Sequence, residues 1–304
     1  MLLVALSFVF IIQRIMDVDL DFAVLASPWV IAGLVALTLA YSCVVIITAL
    51  NYRAWVYNVS GVLIAPATVL DVYCSANMYK YIPSGVFTVL GRNKLAVDND
   101  ELLHGKVAIA TLLEGVFFVF AAVIVALCFS FDHAVTQLRQ IEATPVIIAI
   151  LAGIIITAAI VVYLKRKRLA KYLNITEKIG VLRPLVLVKR MGVALFLAST
   201  WGGAFLLSLS MMGQTITMYI AFVVIGLFCL SWLVGFFVPV APAGLGVREA
   251  ALLMFMGGVV GENYLLLALM AHRMVNVLAD VIAYCFAMWY AKIKTGHKNE
   301  RKTS

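Results

Sequence analysis

The sequence predicts an all-α polytopic membrane protein, with about seven or eight transmembrane helices plus re-entrant or broken ones. Three observations lead there. Of 304 residues, 64% are hydrophobic and only 12% charged, against roughly half and a quarter in soluble domains. The apolar residues gather in runs near the ~20 residues that a helix needs to cross a bilayer. The basic residues are concentrated as well: fourteen of 23 lie in 165–190 and 292–304, accompanied there only by Glu177 and Glu300. The net charge of +8 therefore belongs to two short segments, and the rest of the chain is net acidic. Soluble enzyme, nucleic-acid module and disulfide-stapled scaffold are excluded. Basic segments beside apolar spans mark the cytoplasmic face and attract anionic lipid.

Each element follows in order. Residues 1–16 are a short apolar stretch without a small-residue cleavage site, and read as a retained span rather than a signal peptide. A span covers 28–50, and Asp17, Asp19 and Asp21 before it fall on the outer side. The stretch 54–75 is apolar but irregular, with Pro66 and Asp71. By the charge count it enters and leaves by one face or lies in the interface, and a dipping segment must be covered by protein or line a cavity. Lys80, Arg92 and Lys94 follow on the cytoplasmic side. Spans then cover 106–130 and 145–164, joined by an outer loop at 131–144. The loop 165–190 is cytoplasmic and leads into spans 186–210 and 215–238.

The thirteen residues 249–261 are too few for a straight crossing at ~1.5 Å each. Either the preceding Pro/Gly stretch supplies part of the missing thickness as a broken helix, the reading that the basic tail favours, or the segment is re-entrant and the tail lies outside. A final span at 263–291 returns the chain to a cytoplasmic basic tail, 292–304. Residues 1–291 thus read as one transmembrane domain. Trp29, Trp55, Trp201 and Trp289 lie near proposed span ends and fit interfacial belts. Cys43, Cys74, Cys128, Cys229 and Cys285 have no Cys-x-x-Cys spacing and no His cluster beside them. They read as small buried hydrophobes rather than metal ligands. No cofactor is expected.

Charges inside apolar spans cost free energy and suggest function. Glu114 has only Leu112, Leu113, Val116 and Phe117 around it in sequence, so it must meet a cation on another helix, a water-filled cavity or a proton. In the last span Arg273, Asn276 and Asp280 fall at i, i+3 and i+7, a single polar stripe, with His272 pointing elsewhere. Arg273 pairs with Glu114, contacts a head group, or serves Asp280 through Asn276. Lys80 and Arg92 recruit phosphate at the cytoplasmic mouth or merely follow the positive-inside rule.

The two halves carry matched interruptions: Pro83-Ser84-Gly85 followed by Arg92, and Pro242-Ala243-Gly244 followed by Gly246, Arg248 and Glu249. Such pairs point to a transporter's central site and admit an inverted repeat. A helix that starts inside the membrane directs unpaired N–H groups and a partial positive charge forward. Phosphate is the natural occupant. Glu249 suits the first turn of the new helix, and Arg248 can face the cavity. The alternative is a cytoplasmic loop with a solvated Arg–Glu pair.

The run Pro242 to Ala250 (Pro-Ala-Gly-Leu-Gly-Val-Arg-Glu-Ala) resembles the motif of the lysylphosphatidylglycerol synthase transmembrane region, or flippase-like, family. Asn77 to Gly85, with Gly91-Arg92, resembles that family's first motif. Glu114 and Arg273 fall where such proteins carry acidic and basic residues. Ala243 and Ser84 depart from the family's usual Pro-Gly patterns. The resemblance implies a prokaryotic inner-membrane protein that handles an anionic phospholipid or a polyprenyl-phosphate-linked glycan. It does not imply lipid aminoacylation, for which the chain has no soluble domain.

The leading expectation is a lipid-binding translocase whose head-group path uses Arg248, Glu249, Gly244, Gly246, Glu114, Arg273, Asp280, Lys80 and Arg92. No Walker-type ATP loop is present. One rival is a membrane enzyme with Glu114 or Glu249 as general base, which lacks a second convergent group. Another is a non-transporting accessory protein that docks a synthase or glycosyltransferase through the 165–190 loop.

Overall fold

The computed structural model describes residues 13, 16, 18, 20–82, 86–97, 102–139, 184–237, 244 and 246–303, the side chains of 86, 132, 134–139 and 295–303 excepted. The expected spans 1–16 (apart from Gln13 and Met16) and 145–164 lie outside those residues. So do most of loop 165–190, the Pro83-Ser84-Gly85 turn, and Pro239, Pro242 and Ala243.

Nine α-helices order the described chain. They are α1 (Pro28–Ser60), α2 (Pro66–Met78), α3 (Val86–Arg92), α4 (Lys94–Val97), α5 (His104–Arg139), α6 (Pro184–Met211), α7 (Met218–Phe236), α8 (Val247–Met256) and α9 (Glu262–Thr303). Short 3-10 turns occur at Phe22–Ala26 and Tyr79–Tyr81. The described residues contain no β-strand, only an isolated bridge between Gly257 and Val260. Five helices, α1, α5, α6, α7 and α9, are long and apolar enough to cross a membrane. They match five of the expected spans.

The main departure concerns α1. It does not stop near residue 50 but continues to Ser60. Arg53 is tolerated there because its Nε donates to the Ile64 carbonyl at 2.6 Å, which satisfies one of its donors. Gly61 ends the helix in the left-handed region, φ +74, with its N–H on the Tyr57 carbonyl. Pro66 then occupies the first turn of α2, where its missing N–H costs nothing. The stretch expected as one segment, 54–75, is therefore two: the last turns of α1 and a separate short helix. Trp55 consequently sits in the core, 1% exposed, and not at an interface. Trp201 is likewise mid-helix, its ring 4.4 Å from that of Phe118. Only Trp29 and Trp289 of the expected belt are exposed. Cys74 and Cys229 are buried, whereas Cys43, Cys128 and Cys285 lie on the outer surface.

At 13 residues, or about 20 Å, α2 is too short to cross a ~30 Å hydrocarbon core. It runs inward between α1 and α9, burying Val69, Val72, Tyr73, Cys74 and Ala76. α3 packs back against it. Gly91 permits the approach, since a Cβ there would lie 2.8 Å from the Tyr79 ring and 3.0 Å from the Ala76 Cβ. α2 and α3 together leave the bundle by the end at which they began.

Hydrogen bonds identify the two ends. At the basic end, Lys106 near the start of α5 donates to the Ser60 carbonyl at 3.4 Å. Arg190 near the start of α6 donates to Asn51 at 2.8 Å and lies over Trp55. At the opposite end, Gln214 in the α6–α7 turn accepts from the Gly261 N–H at 3.1 Å, and His133 donates to the Phe255 carbonyl at 3.2 Å. α8 is thus a half-length helix. It starts beside Gly235 near the end of α7 and runs ten residues to the opposite end. Within the spans, the hydroxyls of Thr38, Ser42, Thr48, Thr111, Ser130 and Ser208 donate to carbonyls four residues earlier at 2.7–3.0 Å. That satisfies them where no water can.

Candidate functional site

Three polar groups lie among the apolar helices. The first joins Arg92, the last residue of α3, to Glu114 in α5, Nη1 to Oε2 at 2.5 Å, both buried. The Arg92 guanidinium also lies over the rings of Tyr73 at 4.2 Å and Tyr52 at 4.9 Å, which favours a desolvated cation. The Tyr52 hydroxyl hydrogen-bonds to that of Thr111 at 2.9 Å. Glu114 thus has the cation on another helix that its apolar setting requires, and the cation is Arg92 rather than Arg273. Arg92 is buried, 9% exposed, and not at an open mouth.

The second group centres on Asp280 in α9, 2% exposed. Asn77 Nδ2 donates to Oδ1 at 2.7 Å, the Tyr81 hydroxyl donates to Oδ2 at 2.5 Å, and Lys80 Nζ stands 2.6 Å from Oδ2. The spacing 77, 80, 81 brings all three to one side of the helical turn. Tyr81 lies outside the five spanning helices. Burial first, and the Asp280 carboxylate second, push its phenol well above the ordinary range, so it stays protonated and serves as donor.

The third group forms at the start of α8. Gly244 and Gly246 both have positive φ, +70 and +82, a turn that other residues adopt only with strain. Gly235 of α7 faces this turn: a Cβ there would meet the Arg248 Cβ at 3.1 Å and the Gly244 Cα at 3.6 Å. The Glu249 carboxylate reaches back to accept from the Gly246 N–H at 2.8 Å, satisfying one of the free donors at the helix start. Its other oxygen is 3.6 Å from Arg273 Nη1.

Arg248 is placed differently. Its guanidinium lies 4.3 Å from the centre of the Phe228 ring, and its Nε is buried without a hydrogen-bond partner. No carboxylate stands within ion-pair distance of it among the described residues. Arg273 Nη2 is buried without a partner as well.

The second and third groups are linked through α9, which carries both Asp280 and Arg273, and Tyr41 of α1 packs edge-on to His272, whose neighbouring Phe228 ring carries Arg248. Along α9 the stripe Arg273–Asn276–Asp280 faces inward, with Asn276 also buried. The structure therefore brings Lys80 to Asp280, gathers Gly244, Gly246, Arg248, Glu249 and Arg273 two helical turns away along α9, and separates Arg92 and Glu114 into a pair of their own. Asn77 and Tyr81 were not among the expected site residues, although their flanking of Lys80 at helical spacing was visible. His272 stands edge-on to Tyr41, Phe205 and Phe228, with Nδ1 3.2 Å from the Ser208 hydroxyl. It shares the Phe228 ring with Arg248.

The described residues contain no group of three or more His, Cys, Asp or Glu side chains able to hold a metal. Compared with protein-family models and with curated proteins, the chain matches none.

Proposed function

We propose that this protein binds an anionic lipid or lipid-linked glycan and moves its head group across the bilayer through the polar interior between α1, α2, α8 and α9. The observation that carries the reading is Arg248. The joined groups hold three cations (Lys80, Arg248, Arg273) and two carboxylates (Glu249, Asp280), so one positive charge is in excess where desolvation is costly. Glu249 pairs with Arg273, Asp280 with Lys80, and Arg248 rests on an aromatic face. A phosphate supplies the missing counter-charge. It also accepts from backbone N–H groups at the start of α8, where the helix dipole favours an anion. Acyl or polyprenyl chains stay in the surrounding lipid while the head group passes.

The two broken elements support the same reading. α2 extends from the basic end and α8 toward the other, a pattern that suits two interrupted helices meeting at one site. An inverted repeat and seven or eight spans, with 1–16 and 145–164 among them, belong to this proposal. So does orientation: the basic end carrying Lys106, Lys189, Arg190, Lys292 and Lys294 faces the cytoplasm, in a prokaryotic inner membrane. The flippase-like family assignment rests on the motif residues at 77–92 and 242–250.

The test is transport by the full chain in proteoliposomes. A fluorescent anionic lipid changes leaflets faster with wild type than with Arg248→Ala, and equal rates reject the mechanism. The accessory reading, with docking of a synthase or glycosyltransferase through 165–190, is favoured instead if cells keep their function when Arg248 and Glu114 are both neutralised.

A further inference from the structure

The ion pairs of the interior differ in kind. Arg92 and Glu114 are enclosed alike, with side chains 11% and 8% exposed, and the guanidinium also rests on two tyrosine rings. An arginine keeps its charge at any ordinary pH, so that pair is permanent. Lys80 and Asp280 are unequal: the aspartate side chain is 1% exposed and the lysine side chain 33%. Asp280 lies near the middle of the spanning part of α9, Glu262–Lys294. A cation exposed at that depth is open to water rather than to lipid, which would not solvate it. Lys80 also has a second seat, since its Nζ stands 5.3 Å from the centre of the Tyr81 ring. The lysine can leave on its flexible stem; the aspartate, short and buried on a long helix, cannot follow.

A buried carboxylate that loses its cation is stranded, unless a proton replaces the cation. The surroundings of Asp280 suit that exchange. Asn77 Nδ2 donates to one oxygen and the Tyr81 hydroxyl to the other. A neutral carboxyl keeps both partners: Oδ1 still accepts from Asn77, and a proton on Oδ2 is donated to the Tyr81 oxygen once the phenol hydrogen turns away. Among the described residues no second cation can replace Lys80. Arg273 is two helical turns away and pairs with Glu249. Of the elements packed against α9, α1 brings Tyr41, and α2 brings Cys74, with Asp71 one turn before it. α6 has no titratable side chain from Met191 to Met211. α8 brings Arg248 and Glu249, at the Arg273 end of the stripe, and α9 itself adds only Tyr284 one turn on.

We propose that Asp280 is a proton-binding site at which a proton from water and the ammonium of Lys80 replace one another, and that this exchange couples movement of the head group to a proton gradient. One proton passes from water to Asp280 Oδ2 while the ammonium leaves with its own charge, so the interior around Asp280 is neutral before and after. Discharging Asp280 frees α2 from its ionic tether to α9 and leaves Arg248 and Arg273 facing one carboxylate fewer. By linkage, an anion bound beside them favours uptake of the proton. The coupling rests on the transport reading; the proton site does not.

Infrared difference spectra of the full chain in nanodiscs, recorded across a pH titration, report the carbonyl stretch of a neutral buried carboxyl. One such band of the wild type is expected to be missing in Asp280→Asn. In Lys80→Gln it is expected at about tenfold lower proton concentration, the effect of removing an opposite charge within ~4 Å. Identical spectra for wild type and Asp280→Asn, or an unmoved midpoint in Lys80→Gln, overturn the site; if Asp280→Asn does not assemble, the Lys80→Gln midpoint decides alone. In proteoliposomes containing a fluorescent anionic lipid, an imposed pH gradient speeds leaflet exchange severalfold with wild type and leaves the Asp280→Asn rate unchanged. Wild-type exchange that ignores the gradient overturns the coupling. The expected titration in a protein that moves no lipid upholds the proton site and rejects translocation instead.

Discussion

Neutralising Glu114 tests the electrostatic logic of the interior most directly. Glu114→Gln preserves shape but removes the charge that faces Arg92 at 2.5 Å, in a pair whose side chains are 8% and 11% exposed. Breaking a buried pair by removing one partner costs about 3–5 kcal/mol, because the other charge stays desolvated and uncompensated. Arg92 keeps the faces of Tyr73 and Tyr52, each worth roughly 0.5–2 kcal/mol to a cation. The loss therefore falls at the low end, about 3 kcal/mol. Adding Arg92→Met removes the stranded charge, so the double variant is more stable than Glu114→Gln alone. Reversible unfolding by SDS in mixed micelles measures the cycle. A Glu114→Gln loss below ~1 kcal/mol, or additive losses in the double variant, would refute the reasoning.

Two further perturbations probe the short helices. Asp280→Ala removes the acceptor that holds Asn77, Lys80 and Tyr81; in a chain retaining Cys74 as its sole cysteine, that thiol, 1% exposed in the wild type, becomes reactive to maleimide, and equal protection in both forms would contradict the tether. Gly91→Ala places a methyl 2.8 Å from the Tyr79 ring and costs about 1–3 kcal/mol by overpacking, whereas Gly203→Ala meets no atom within 4 Å and is neutral or stabilising by the same SDS unfolding; similar effects at both sites would show that Gly91 is not a contact point.

Much of the architecture was legible because lipid imposes one rule on composition: a spanning helix must be apolar throughout. Five spans follow from that rule alone, and so does the inward face of Arg273, Asn276 and Asp280. The end of α1 was hidden because Arg53 looks like a boundary until its partner, the Ile64 carbonyl eleven residues later, is known. Trp55 and Trp201 were misplaced for a related reason, since a tryptophan near an apparent span end cannot be told from one in the core by local sequence. The pairing of charges was least legible. Glu114 had to meet a cation, a water-filled cavity or a proton; that it meets Arg92, and not Arg273, depends on how α3 folds back over α2, where Gly91 approaches the Tyr79 ring. Asn77 and Tyr81 lay in plain view beside Lys80; only the register of α2 against α9 shows that all three share one acceptor.

Arg273 and Asp280 are two helical turns apart on a single rod, about 10 Å along its axis, and each tethers a different short helix. Tilting α9 about a pivot between them lengthens one tether as it shortens the other, like a beam on a fulcrum. The two ends of the molecule are thereby put in opposition. Slack given to α2 on one side is taken up at α8 on the other, so a movement of α9 couples the two short helices.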